Sequence, residues 1–342
     1  MRARWSGDTW LEKVGLAVGE VPTPILETMH LPLLARALTV SVRLGVFEAL
    51  AGGALDAAAL AGRLGTPAGA LERLLDTQVG GGMLKLQGGR YALTRLAKKW
   101  VLAGSPSSLR DSLLFAHDEW DFIAGLESYV RTGSSAPYLG TLSPEAFERS
   151  ERAATMRARL VQPELLRQLP SLEGATALLD VGGGHGHHAR ALLSRWPSLT
   201  AEVVDLPQAF AGAASAPRLT FTAGDARTAD LGRGRFDVAL LSLVAHHFTA
   251  AENAALFLRL ASALRPGGHL LVLEWIRHDA SKGAAQADLL GDLFFSLVSP
   301  EAPFTLPALS GWCTAAGLEV RRARRLRLAR GMGVVLARKA AP

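Results

Sequence analysis

LLDVGGGHGHHARALLSRWPSLTAEVVDL, residues 178–206, decides how this chain is read. An apolar run ends in three glycines with a fourth at Gly186, a segment with helical spacing follows, and a second apolar run ends on Asp205. Strand, glycine loop, helix, strand and acid is the order of a nucleotide-binding βαβ unit. Glycines let the backbone approach a ligand, and the free N–H groups that open the next helix suit a carboxylate.

The loop spells G-x-G-x-G over Gly182, Gly184 and Gly186, and His187 stands where a dinucleotide fingerprint needs its third glycine. Asp205, at the tip of the second strand, is placed to accept both hydroxyls of a ribose. A nucleoside joined to an amino-acid carboxylate, as in S-adenosylmethionine, fits better than NAD. The bland alternative is a glycine turn that binds nothing.

The 342 residues exceed one typical domain, and 49% hydrophobic with 20% charged residues describes a globular protein. No apolar run approaches the ~20 residues of a membrane helix, and the opening is no signal peptide. A cytoplasmic location without membrane partner is therefore expected. The lone Cys313 excludes an internal disulfide and a cysteine-cluster metal site, and no metal is expected. The net charge of +6 could suggest nucleic acid, but six arginines crowd between Arg321 and Arg330 without interleaved aromatics. That pattern suits a protected edge strand better than a stacking surface.

Residues 1–30 are broken by Gly19, Pro22 and Pro24, and a loosely ordered opening is expected. Residues 30–50 read as helix, mostly buried. Helices over 55–63 and 66–79 precede a hairpin over 83–93 with Gly88-Gly89, a winged-helix pattern. Its second helix carries Glu72 and Asp76 against Arg73, so packing is expected rather than DNA binding. Residues 107–131 read as one aromatic helix with Phe115, His117, Trp120, Phe122 and Tyr129, suited equally to core packing and to pocket lining. A helix over 144–169 carries Met156.

Near residue 172 the composition shifts, giving expected domains of 1–171, mainly helical, and 172–342, α/β. Strands are expected at 177–181, 201–206, 219–223, 236–242 and 269–275, separated by helices. That alternation implies a parallel sheet covered on both faces. A helix over 305–316 and an antiparallel pair, 318–326 with 333–339, complete the chain.

Chemistry gathers at the carboxyl ends of these strands, where parallel sheets place ligands. Asp225 can accept an adenine amino group. His246, just past the fourth strand, is a candidate general base, with His247 beside it. The adjacent rings also suit a helix-start cap and a packed side chain. Glu274, at the end of the neighbouring strand, is within reach to brace the His246 ring.

Asp180-Val181-Gly182-Gly183-Gly184-His185-Gly186, Val204-Asp205-Leu206-Pro207, Gly224-Asp225, Val244-Ala245-His246 and Pro266-Gly267-Gly268 ahead of Glu274 together resemble one family. It is that of the S-adenosylmethionine-dependent O-methyltransferases of the caffeic acid and acetylserotonin type, including bacterial natural-product enzymes. The resemblance covers nearly the whole chain. It implies a Rossmann-like class I methyltransferase domain preceded by a helical, winged-helix dimerisation domain, and a homodimer.

By that resemblance Gly182, Asp205, Asp225, Ala226 and Ser242 line the cofactor, with Asp180, Gly184, Gly186 and Leu206 from the same motifs. His246 deprotonates an acceptor hydroxyl and Glu274 braces it. This chain has His247 where the family usually has Asp, Phe248 where Trp follows, Ser242 for a lysine, and no acid in residues 305–309 for a second brace. Candidate walls of an acceptor pocket between the halves are Phe115, Trp120, Met156, Phe294 and Phe295, whose apolar character points to an aromatic or polyketide-like small molecule. Open alternatives are other chemistry with the same cofactor (C-methylation, hydroxylation, decarboxylation or rearrangement, even with iron on His246, His247 and a third ligand), or a ligand-responsive DNA regulator.

Overall fold

The computed structural model describes residues 9–138, 140–301, 303–329 and 331–341. Residues 1–8 of the expected loose opening, and Arg330 of the arginine cluster, lie outside the described residues. From Thr9 onward the opening is helical. Thr9 and Glu12 form a capping box that starts α1 (Trp10–Val18), with Glu12 N donating to Thr9 Oγ1 at 3.3 Å and Thr9 N to Glu12 Oε2 at 2.9 Å. Gly19, at φ +80°, ends α1, and Pro22 precedes α2 (Thr23–Arg43). The breakers that obscured the pattern are helix punctuation.

The chain forms two compact units that part between Trp120 and Asp121. In the first unit α2 is followed by α3 (Val46–Ala49), α4 (Ala57–Leu64), α5 (Ala68–Gly80), the hairpin β1 (Leu84–Gln87) and β2 (Arg90–Leu93), α6 (Arg95–Trp100) and α7 (Arg110–Asp118). Gly88 and Gly89, at φ +56° and +73°, make the tight turn that puts Gln87 opposite Arg90. The core gathers Val46, Phe47, Leu60, Leu71, Leu75, Leu84 and Tyr91. This is the winged-helix arrangement, with Glu72 and Arg73 on the exposed side of α5.

One expectation holds only in part. Within residues 30–50, Ala37, Val42, Val46, Phe47 and Leu50 are buried, but Leu33 and Leu34 are 71% and 39% exposed, and the apolar Ile25 and Met29 earlier in α2 are 63% and 67% exposed. Ile25–Arg43 is also long and apolar enough to cross a membrane by length and composition, which scanning for unbroken apolar runs did not reveal.

The expected aromatic helix over 107–131 is three short ones: α7, then α8 (Trp120–Ala124) and α9 (Leu126–Thr132). Gly125 separates the last two, its N–H bonded to Phe122 O at 3.0 Å. In the second unit α10 (Pro144–Leu166) begins at the Ser143 cap. Its Val161 and Leu165 join Leu169 and Leu172 in one core with Leu178, Leu192 and Val203 of the sheet layer. Residues 121–171 therefore belong with the sheet; the shift near residue 172 marks where strands begin, whereas the compact units divide earlier.

The sheet then follows: β3 (Ala177–Val181), α11 (His187–Arg195), β4 (Thr200–Asp205), β5 (Leu219–Ala223), β6 (Phe236–Ser242), α12 (Ala250–Ala263), β7 (Leu264–Trp275), α13 (Gln286–Val298), α14 (Leu306–Ala315), β8 (Leu318–Arg325) and β9 (Met332–Lys339). Strand order is β5-β4-β3-β6-β7-β9-β8, with the first five parallel to one another and β9 antiparallel to both of its neighbours. Order reverses beside β3, which opens a crevice at the ends of β3 and β6. The arginine-rich β8 is the exposed edge strand.

Candidate active site

The glycine loop after β3 is built for close approach. Gly182, Gly184 and Gly186 sit at φ +69°, +51° and +69°, and a Cβ on Gly182 would run into Val244 Cγ2. Gly182 N donates to Val204 O at 2.8 Å, tying the loop to β4. Asp205 then fixes it further: its Oδ2 accepts from Gly184 N at 2.8 Å and its Oδ1 from Leu206 N at 2.7 Å. Burial raises the Asp205 carboxyl above the ordinary range against those two donors.

Asp180 lies fully buried against the same loop, 2.6 Å from where a Cβ on Gly183 would stand. Among the described residues neither of its oxygens has a hydrogen-bond partner. Burial first, then the charge of Asp205, pushes its carboxyl up to about 7, and the Ala189 N–H, which makes no hydrogen bond of normal geometry to it, opposes them only weakly. A buried, unpaired acid beneath a loop bare of side chains fits a ligand with a cationic end and a sugar that reaches Asp205. S-adenosylmethionine has both.

The sequence reading missed a third acid, Glu151 of α10. Its Oε2 is 2.9 Å from the position of a Cβ on Gly184. Burial and then Asp205 push it up to about 8, while Arg157 pulls the other way. No local pattern announces it, because only the packing of α10 brings it there; Gln162 of the same helix donates to the His187 carbonyl at 3.2 Å.

Just past β5, Asp225 is held by Arg227, whose Nε and Nη2 reach Oδ2 at 3.0 and 2.6 Å. That pairing holds its carboxyl below the ordinary range. Ala226 is buried, and its carbonyl accepts from Arg259 Nη2 at 2.6 Å. Ser242 is half-buried at the end of β6. Leu243 follows at φ +58°, a left-handed conformation uncommon for a leucine, and turns the chain so that residues 245–247 fold back toward β7.

That turn brings His246 to Glu274. Parallel pairing sets Ser242 opposite Leu273, so Glu274 is the next residue along β7. Its Oε1 lies 2.8 Å from His246 Nδ1 and its Oε2 accepts from His246 N at 3.1 Å; Trp275 N adds a third bond at 2.7 Å. The acid is fully buried and the histidine nearly so. With Nδ1–H donated to the carboxylate, Nε2 is left as a proton acceptor.

The rings of His247 and Phe295 stand 4.1 and 5.1 Å from that of His246. Burial first, and His246 second, lower the His247 pKa well below its usual value, so this ring is neutral at physiological pH. Phe295 stacks on Trp275 at 4.7 Å and meets Phe294 edge-on at 5.7 Å; Phe294 in turn meets Tyr138 at 6.2 Å. A second histidine-acid pair steadies the helix that carries these rings: His278 N donates to Asp292 Oδ2 at 2.6 Å, and Nδ1 lies 3.0 Å from Oδ1.

The structure thus brings Phe294 and Phe295 to the candidate base and adds Trp275 and Tyr138, which the sequence reading did not name. Met156 is half-buried on α10. Phe115 and Trp120 belong to the first unit, where Phe115 is fully buried and Trp120 lies under the Arg36 guanidinium at 5.2 Å. Full burial makes Phe115 a packing residue, not a wall open to a ligand.

Known proteins carry the same architecture. Residues 126–302 match the O-methyltransferase domain and residues 26–103 the O-methyltransferase dimerisation domain. The chain is 32% identical over 283 residues to acetylserotonin O-methyltransferase of Bos taurus, covering 73% of this chain and 79% of that one. It is 29% identical over 267 residues to 3-hydroxy-5-methyl-1-naphthoate 3-O-methyltransferase of Streptomyces sahachiroi, covering 74% and 77%. The fold superposes on human N-acetylserotonin methyltransferase, solved with S-adenosylmethionine, with a TM-score of 0.82 at 22% identity over 98% of this chain and 100% of that one. The chain therefore belongs to the S-adenosylmethionine-dependent O-methyltransferases, with a dimerisation domain ahead of the catalytic one.

Proposed function

We propose that this enzyme methylates a hydroxyl of an aromatic or polyketide-like small molecule, with His246 as general base and Glu274 as the group that orients it. The observation that carries the reading is the buried Glu274 carboxylate bonded to both the ring and the backbone nitrogen of His246. The substrates named in its relatives, acetylserotonin and 3-hydroxy-5-methyl-1-naphthoate, agree with the aromatic wall of Phe294, Phe295 and Trp275.

Bound S-adenosylmethionine supplies an electrophilic methyl group on a sulfonium. Gly182, Gly184 and Gly186 leave room for its amino-acid end, Asp205 takes the ribose hydroxyls, and Ala226 and Ser242 border the adenine with Asp225. Nε2 of His246 removes the proton of the acceptor hydroxyl, and Glu274 stabilises the imidazolium that results. A phenol, with a pKa near 10, needs only modest help from an imidazole. The aromatic wall keeps the ring dry, and alignment of the two reactants supplies most of the acceleration. Neutral His247 adds a polar, uncharged neighbour to the acceptor.

The exposed apolar face of α2 is covered by a second copy of the chain, making a homodimer in the cytoplasm, without nucleic acid or membrane as partner. The test is transfer of isotope from the labelled cofactor methyl to the oxygen of a phenolic acceptor. His246→Ala should abolish that transfer and leave S-adenosylhomocysteine affinity within about twofold; label arriving on carbon, or a fully active variant, overturns the assignment.

A further inference from the structure

We propose that Glu151 is the counter-ion that receives the α-ammonium group of S-adenosylmethionine. The proposal rests on the cofactor site described above, and it adds a residue that lies in none of the motifs. Glu151 comes from α10, and its Oε2, 2.9 Å from the position of a Cβ on Gly184, occupies the side-chain space that the glycine leaves free. Among the described residues no donor bonds its carboxylate.

Asp205, nearby, is already committed. It accepts two backbone N–H groups, from Gly184 and Leu206, and its remaining lone pairs suit the neutral hydroxyls of a sugar. Asp180, fully buried against Gly183 with both oxygens unpartnered, borders the same loop. Acids so close to one another are costly to ionise until a cation arrives. A ribose cannot supply that charge. Nor do the described residues offer a metal-binding group of three or more His, Cys, Asp or Glu. The cofactor's amino-acid end carries a compact ammonium with three donors, which one unpartnered carboxylate from α10 and one from the base of the loop together satisfy.

Calorimetric titration of the full chain decides it, with S-adenosylhomocysteine, which keeps the amino-acid end, set against 5′-methylthioadenosine, which lacks it. Glu151→Gln should weaken S-adenosylhomocysteine about tenfold or more and leave 5′-methylthioadenosine within about twofold. The proton released on S-adenosylhomocysteine binding at pH 7, read from buffers of different ionisation enthalpy, should also fall. Equal loss for the two ligands, or no loss for either, overturns the proposal. Should Glu151→Gln fail to fold, Glu151→Met, whose apolar side chain suits burial, gives the same ratio. In the wild type, a deaminated S-adenosylhomocysteine must bind about tenfold more weakly, and equal binding overturns the proposal without any variant. Failure of the wild type to bind S-adenosylhomocysteine at all is a separate result, which strikes the cofactor site itself.

Discussion

Glu274 grips His246 at two points, with Oε1 2.8 Å from Nδ1 and Oε2 3.1 Å from the backbone nitrogen, so one carboxylate sets both the position of the ring and its tautomer. Glu274→Gln keeps the shape but removes the charge that favours the imidazolium. Its kcat is expected to fall about 10²- to 10⁴-fold with little change in S-adenosylhomocysteine affinity, as read by steady-state kinetics beside calorimetry. Glu274→Asp should recover part of the rate. A merely structural acid would lower stability and affinity together.

Gly182→Ala forces a side chain into a left-handed backbone and against Val244. The backbone term alone is about 1–2 kcal/mol, and displacement of Val244 disturbs the segment leading to His246. Lower thermal stability and loss of measurable cofactor binding are expected, checked by differential scanning fluorimetry with and without ligand. Gly212, at φ +75° with open space around it, is the control: Gly212→Ala carries the backbone strain but should keep its cofactor affinity.

The buried acids make the ligand-free enzyme sensitive to alkali. Asp180 and Glu151 are pushed up to about 7 and about 8 from ordinary values near 4, so the folded chain binds their protons more tightly than the unfolded one. Their contribution is full below about pH 4 and is lost as pH rises through 7 and 8. The histidines with lowered pKa, such as His188 at about 4, are neutral in the folded chain but still half protonated in the unfolded one near pH 6.5, and only from about pH 7.5 are they neutral in both states. The melting temperature should therefore fall from about pH 7.5 to about pH 9. Asp180→Asn should flatten the slope, and S-adenosylhomocysteine should do the same by favouring the charged acids; an unchanged slope would show that these groups are not protonated.

Met29→Glu and Leu33→Glu place a charge on the exposed apolar face of α2. Both should convert a sedimenting dimer to monomer at micromolar concentration while far-ultraviolet circular dichroism stays unchanged. A dimer that persists in both would move the interface elsewhere.

The parallel strands were readable because each is an apolar run that ends in glycine, serine or acid, and β3, β5 and β6 have the bounds expected of them. Gly182, Asp205, His246 and Glu274 were readable for a related reason, since each follows or ends a strand where a parallel sheet presents its ligands. The breaks within residues 107–131 were not, because aromatic spacing continues across Gly125 while the helix does not. Exposure along α2 was hidden as well, since periodicity reports an apolar face and not what covers it. Glu151 and Tyr138 reach the site through packing of distant segments, which no local window contains.

From His269 to Leu273, β7 is paired with β6 on one side and β9 on the other, and it carries Glu274 as the next residue. Phe294 and Phe295 instead ride on α13, and Tyr138 on the loop before α10. The acid that holds His246 is thus anchored to a strand inside the sheet, whereas the rings beside it are carried on a helix and a loop. On the function proposed above, exchanging those rings would change which compound is modified and leave the proton transfer intact.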